Sequence, residues 1–162
     1  MDSTTPRATR VRANPAISKS YAPRGGECAY ANLKLVARVL NTLYDDALRP
    51  VDLRAGQLAL MWAILALQPV EYGKLSVATL TDQTTLSRTV AKLRKARLVR
   101  VQTGRDGRVK LLTLTPAGRQ RFEEAMPLWE EAQRRAAAFV PLSDARALAR
   151  RVRKSTRATA PS

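Results

Sequence analysis

The chain has 162 residues, 45% of them apolar, which suits a single domain with tails and a sizeable core. Lysine and arginine number 29 against 13 acids, a formal charge of +16, so the chain repels itself and a polyanionic partner is expected. Histidine is absent and Cys28 is the one cysteine, which excludes an internal disulfide, a Cys/His zinc cluster and a histidine general base. No metal and no cofactor is expected. The longest apolar run, Leu58–Leu67, is too short for a bilayer span of about 20 residues. The opening Met1–Pro6 has no apolar segment behind it, so no secretory signal is expected and the cytoplasm is the expected compartment.

Residues 1–26 carry Arg7, Arg10, Arg12, Lys19, Arg24 and three prolines with almost nothing to bury, and read as a disordered basic arm. From Tyr30, the residues Leu33, Val36, Ala37, Leu40, Leu43, Tyr44, Ala47 and Leu48 recur at helical steps, which predicts an amphipathic helix ending before Pro50. Ala55–Leu67 is apolar on nearly every side and predicts a central buried helix. A short piece, Leu75–Leu80, leads into a helix opened by Thr81 or Asp82 as N-cap and running to Lys95. Its only apolar stripe is Leu86, Val90 and Leu93. Val99–Thr103 and Val109–Leu114 flank a polar loop bounded by Gly104 and Gly107, and predict a hairpin.

Thr115–Pro116 then opens a long helix with Phe122, Ala125, Leu128, Trp129, Ala132, Ala136 and Phe139 on one face and an expected kink at Pro127. Ser143 is expected to cap a last short helix carrying Ala145, Leu148 and Val152, followed by a polar tail at 158–162. The fold class is mainly α with a small β-hairpin wing, a winged helix-turn-helix. Its expected domain is 27–157, with 50–116 as the winged part and 27–49 and 117–157 as helices for dimerisation.

Between Arg88 and Arg121 lie eleven basic residues and one acid, Asp106, a local excess of ten charges on one helix, the hairpin and the start of the next helix. The same helix has short polar side chains at its N-terminal end, which let a helix enter a major groove and meet base edges. Gln83, Thr84, Thr85, Ser87 and Arg88 are the expected base readers. Thr89, Lys92, Arg94, Lys95, Arg100 and Lys110 are the expected backbone contacts, with double-stranded DNA as the partner. Arg105 at the wing tip is placed for the adjacent minor groove. Asp106 either orients the Arg108 guanidinium or serves the turn with Gly107.

Asp82-Gln83-Thr84-Thr85-Leu86-Ser87-Arg88-Thr89, then Asp106-Gly107-Arg108, then Leu114-Thr115-Pro116-Ala117-Gly118 resemble the MarR family of bacterial transcriptional regulators. The resemblance runs from about Asn32 to Phe139 and includes Leu43-Tyr44-Asp45 and Met126–Glu131. It implies a homodimer joined by the first and last helices, two wings on a pseudo-palindromic operator, and a repressor relieved by a small aromatic ligand or an oxidant. Surplus apolar surface on the first, fifth and last helices also suits a two-fold dimer. Leu80 departs from the family, many of whose members have glycine there. Leucine takes positive φ at a cost, so the turn is expected to be shaped differently.

Tyr44, Met61, Trp62, Leu65 and Trp129 are the candidate ligand pocket, or simply packed core. Cys28, at the expected start of the first helix, is a candidate redox sensor with Tyr30 and Tyr44 nearby, or an inert small side chain. A sequence-tolerant, nucleoid-type architectural protein is the alternative function. An RNA binder is disfavoured because 5% aromatic content leaves few stacking platforms, and an enzyme because no acid pair, nucleophile–base pair or phosphate loop is visible.

Overall fold

The computed structural model describes residues 26–104, 107 and 109–158, with side chains to residue 155. The basic arm ahead of Gly26, the tail from 159, and Arg105, Asp106 and Arg108 of the wing lie outside the described residues. Helix α1, Ala29–Leu48, is followed by a 3-10 turn, Arg49–Val51, with Pro50 in its middle. The chain divides into two units after Val39, within α1. The helix up to that point is solvent-exposed, its opening turn tied by the Asn32 side-chain amide to the carbonyls of Gly26 and Cys28.

From Leu40 onward, α2 (Ala55–Leu67) forms the centre. Asp45, projecting from α1, accepts a 2.7 Å hydrogen bond from the Ala55 amide, and Gln57 accepts one from the Arg54 amide, so two free donors at the start of α2 are satisfied. Leu58, Leu60, Met61 and Ile64 are buried, while Trp62, Leu65 and Leu67 remain exposed. The prediction that this helix is buried all round is therefore corrected: one face is core and the other is uncovered. Strand β1 (Val70–Glu71) follows a cis Gln68–Pro69 bond and leads straight into α3 (Tyr72–Thr79), which begins three residues earlier than the apolar pattern suggests.

After α4 (Gln83–Lys95), β2 (Val99–Thr103) and β3 (Lys110–Leu114) form the hairpin. The antiparallel sheet has three strands in the order β1-β3-β2, with Val70 opposite Leu112 and Val99 opposite Leu114. Two residues are too few to display an alternating pattern, which is why β1 is invisible to a search for strands. Where β1 gives out, the Gln68 side chain accepts from the Leu114 amide at 2.9 Å. The inward side chains Val70, Val99, Leu112 and Leu114 join Leu48, Leu53, Leu75, Leu86, Val90, Leu93 and the α2 residues in one core.

Helix α5 (Pro116–Ala137) has Thr115 as N-cap, its hydroxyl accepting from the Gly118 amide at 2.9 Å, and runs continuously through Pro127. The same hydroxyl donates to the Arg97 carbonyl at 2.7 Å, so one threonine joins the end of the α4 region to the start of α5. The last helix, α6 (Leu142–Ala158), is longer than predicted and begins before Ser143: the Pro141 carbonyl takes the first helical bonds, and Ser143 bonds its neighbour Asp144. Ser143 is therefore not the cap. Leu80 also corrects an expectation. It adopts φ 51°, ψ 36° at the end of α3, the left-handed conformation that glycine favours. The bonds that brace it are Thr81 N–H to the Ser76 carbonyl and the Ser76 hydroxyl to the Thr81 carbonyl. These close the turn firmly enough to hold a leucine there.

Candidate nucleic-acid interface

Helix α4 is held by Leu86, Val90 and Leu93, all buried. At about 1.5–3 kcal/mol for each such side chain, that stripe fixes the helix with its polar faces outward. Asp82 caps it, its carboxylate accepting from the Thr85 amide at 2.9 Å, while Thr81 turns its hydroxyl to the Thr79 carbonyl instead. The Thr85 amide holds the Asp82 carboxyl below the ordinary carboxylate range. Lys92, Arg94 and Lys95 occupy the last turn, where their charge complements the helix dipole.

Gln83, Thr84, Thr85, Ser87 and Arg88 are all exposed on this helix, as are Lys92, Arg94 and Lys95; Arg100 and Lys110 are exposed on the wing strands. Thr89 is half-buried and bonds back to the Thr85 carbonyl at 2.9 Å, so its hydroxyl is already engaged. Among the described residues none of these cations pairs with a carboxylate. Clefts flank α4 on more than one side. On the wing side, Gln83 and Ser87 share a cleft with Glu71, Tyr72, Val109 and Lys110. On the other side, Thr89, Lys92 and Lys95 share one with Asp52, Arg54, Gly56 and Gln57. Of the wing-tip residues only Gly107 is described, at φ 73°, a conformation that suits glycine in a tight turn. Tyr72 and Arg54 are absent from the sequence-based set. Each opens a helix whose function no local pattern announces.

A separate cavity of about 700 Å3 lies between the second half of α1 and helices α2, α3, α5 and α6, lined by Tyr44, Trp62 and Trp129 with Asn41, Ala78 and Arg153 among others. Trp62 packs edge-on against Trp129 at 5.2 Å and Phe122 at 5.5 Å. The Tyr44 hydroxyl donates to Gln133 at 2.7 Å, and burial pushes its phenol up. Met61 lies fully in the core and Leu65 is exposed elsewhere, so neither lines this cavity. Cys28 is exposed just ahead of α1 and lines none of these spaces. Among the described residues no cluster of acids and cysteine could hold a metal, and no single helix is long and apolar enough to cross a membrane.

Among the described residues, six α-helices with a small antiparallel sheet, a capped polar helix and a wing beside it define a winged helix-turn-helix protein. No protein-family model and no curated protein matches the chain. Solved structures do. The transcriptional regulator MosR of M. tuberculosis in complex with DNA is 31% identical, with 81% of this chain and 97% of that one covered, at a TM-score of 0.72. E. coli MarR complexed with operator DNA, as a single-site variant, is 18% identical over 86% of this chain and 96% of that one, TM-score 0.68. BpsR of Bordetella bronchiseptica, whose DNA binding is regulated by 6-hydroxynicotinic acid, is 22% identical over 84% and 96%, TM-score 0.69. The chain belongs to the MarR family of winged-helix, DNA-binding transcriptional regulators.

Proposed function

We propose that this regulator acts as a homodimeric, sequence-specific repressor that reads a pseudo-palindromic operator with α4. The observation that carries this reading is α4 itself. A carboxylate cap and three buried side chains lock the helix, and Gln83, Thr84, Thr85, Ser87 and Arg88 are exposed on it beside cations that pair with no carboxylate among the described residues. In this assignment those five residues meet base edges, with thymine methyl groups as targets for the threonines. Lys92, Arg94, Lys95, Arg100 and Lys110 contact phosphates, and Thr89 supports them at the groove edge. Arg105, Asp106, Gly107 and Arg108 are assigned to the wing's contact with DNA, with Arg105 for the adjacent minor groove.

Dimerisation is supported by exposed apolar side chains that a monomer leaves in water: Leu142, Leu148 and Val152 at helical spacing on α6, and Leu33, Leu35, Val36 and Val39 on the first part of α1. The cavity of Tyr44, Trp62 and Trp129 is the proposed site for a small aromatic effector, since flat aromatic walls and a few polar groups suit a planar ligand. Such a regulator works in the cytoplasm, at the DNA.

The test is selection of duplexes from a random pool by the full chain at physiological salt. Enrichment of a two-fold palindrome with half-sites about one helical turn apart is expected. Tight binding without enrichment would overturn specific reading and leave an architectural DNA-binding protein.

A further inference from the structure

Tyr72 occupies a position that the set of DNA contacts above does not use. As the first residue of α3 it lines the wing-side cleft with Gln83, Ser87 and Lys110, and it also lines a second hollow with Ser87, Arg94 and Lys95. It therefore stands on the ridge between two groups of side chains assigned to DNA. Its ring is half-buried against the core, which fixes where the phenol sits. Its hydroxyl has no hydrogen-bond partner among the described residues, so none of them takes up its proton. Burial pushes the phenol up, against the opposing pull of the Arg94 charge, so at neutral pH the group keeps its proton and can donate.

A tyrosine placed this way has a clear counterpart in duplex DNA. Arg94 on one side and Lys110 on the other attract a phosphate to the ridge, and the hydroxyl between them is the short-range donor that fixes it there. We infer that Tyr72 is a DNA-backbone contact that donates its phenolic proton to a phosphate oxygen and so sets the depth at which α4 enters the groove. The inference rests on the DNA-reading function proposed above. It differs from the lysine and arginine contacts in one measurable respect: a neutral hydroxyl displaces no condensed counterion.

The experiment compares the full chain with Tyr72→Phe and Lys110→Ala on the selected duplex and on a random duplex across a salt series. Tyr72→Phe keeps the ring and its packing, and equal melting temperatures verify that. The expected result is a loss of about three- to tenfold on both duplexes alike, as one hydrogen bond commands. The slope of log affinity against log salt should not change. Lys110→Ala should lower that slope by about one. Unchanged affinity for Tyr72→Phe overturns the inference, as does a loss confined to the selected duplex, which would make Tyr72 a base reader. A changed salt slope does the same. If the unsubstituted chain binds neither duplex, the DNA reading itself falls, and this outcome is distinct because it appears before any substitution.

Discussion

Gly118 sits where the backbone leaves no room for a side chain. A Cβ built there would lie 2.0 Å from the Leu98 carbonyl oxygen and 2.9 Å from its carbon, both backbone atoms that no rotamer change can clear. Room for a methyl group must come from separating the start of α5 from the segment after α4. That movement pulls on the Thr115 amide bond to Leu98, the Thr115 hydroxyl bond to Arg97 and the Gly118 amide bond to Thr115. Overpacking of this kind costs about 1–3 kcal/mol, and each hydrogen bond lost adds about 0.5–1.5 kcal/mol.

Better helix propensity returns at most about 1 kcal/mol. Gly118→Ala should therefore destabilise the chain by about 2–4 kcal/mol, a fall in melting temperature of roughly 5–15 °C at this chain length. Thermal unfolding followed by circular dichroism measures it. Gly56→Ala is the control, because a Cβ there meets nothing within 4 Å and the melting temperature should hold or rise slightly. If Gly118→Ala melted with the unsubstituted protein, the packing argument for the junction would be wrong.

Leu80→Gly should change stability by no more than about 1 kcal/mol, because relief of left-handed strain, about 1–2 kcal/mol, is offset by the entropy cost of glycine, about 0.5–1 kcal/mol, and by the loss of the half of the leucine that is buried, about 1 kcal/mol. A melting temperature shifted by more than about 4 °C in either direction would contradict this. Asp82→Ala should lower the melting temperature at neutral pH. Because the folded carboxyl sits below its ordinary range, the contribution of the cap is present above that range and is lost as pH falls through the folded value. The two proteins should then converge in acid; a difference that persisted there would point to something other than the charge. Arg88→Ala should cost about 1–3 kcal/mol on the selected duplex and relax sequence preference, whereas Lys110→Ala should weaken all duplexes alike. Competition binding separates the two, and equal losses by both variants would refute the division of labour. Trp129→Ala should weaken the binding of planar aromatic compounds to the proposed cavity, measured by calorimetric titration, and unchanged affinity would remove that cavity as the proposed effector site.

Elements with a strong period are legible in the sequence. Ala55–Leu67 and the stripe Leu86, Val90, Leu93 appear in the structure where periodicity puts them, as does Thr115 with Pro116 at a helix start. What escapes has a physical reason in each case. An all-apolar helix does not say which face is covered, so sequence alone places Met61 and Leu65 with Trp62 although one is core and the other faces water. The left-handed Leu80 shows that the energy of a single residue yields to a turn closed by Ser76 and Thr81. Tyr72 was missed because α3 starts at a point its apolar spacing does not mark, and only the folded chain brings that tyrosine beside Ser87 and Lys110.

The three-stranded sheet also bears on how copies of this chain can meet. A free strand edge is a template on which any other strand can dock, and proteins that avoid aggregation close or blunt such edges. Here β3 is central. One outer edge, β1, stops after two residues and hands its next acceptor position to the Gln68 side chain. The other outer edge, β2, carries Arg100 in its interior, exposed. Edge-to-edge growth through the wings is thereby opposed by brevity on one side and by charge on the other. The positive charge proposed to face phosphate thus doubles as a guard against strand-to-strand polymerisation, and the exposed apolar helix faces are left as the surface for the proposed dimer.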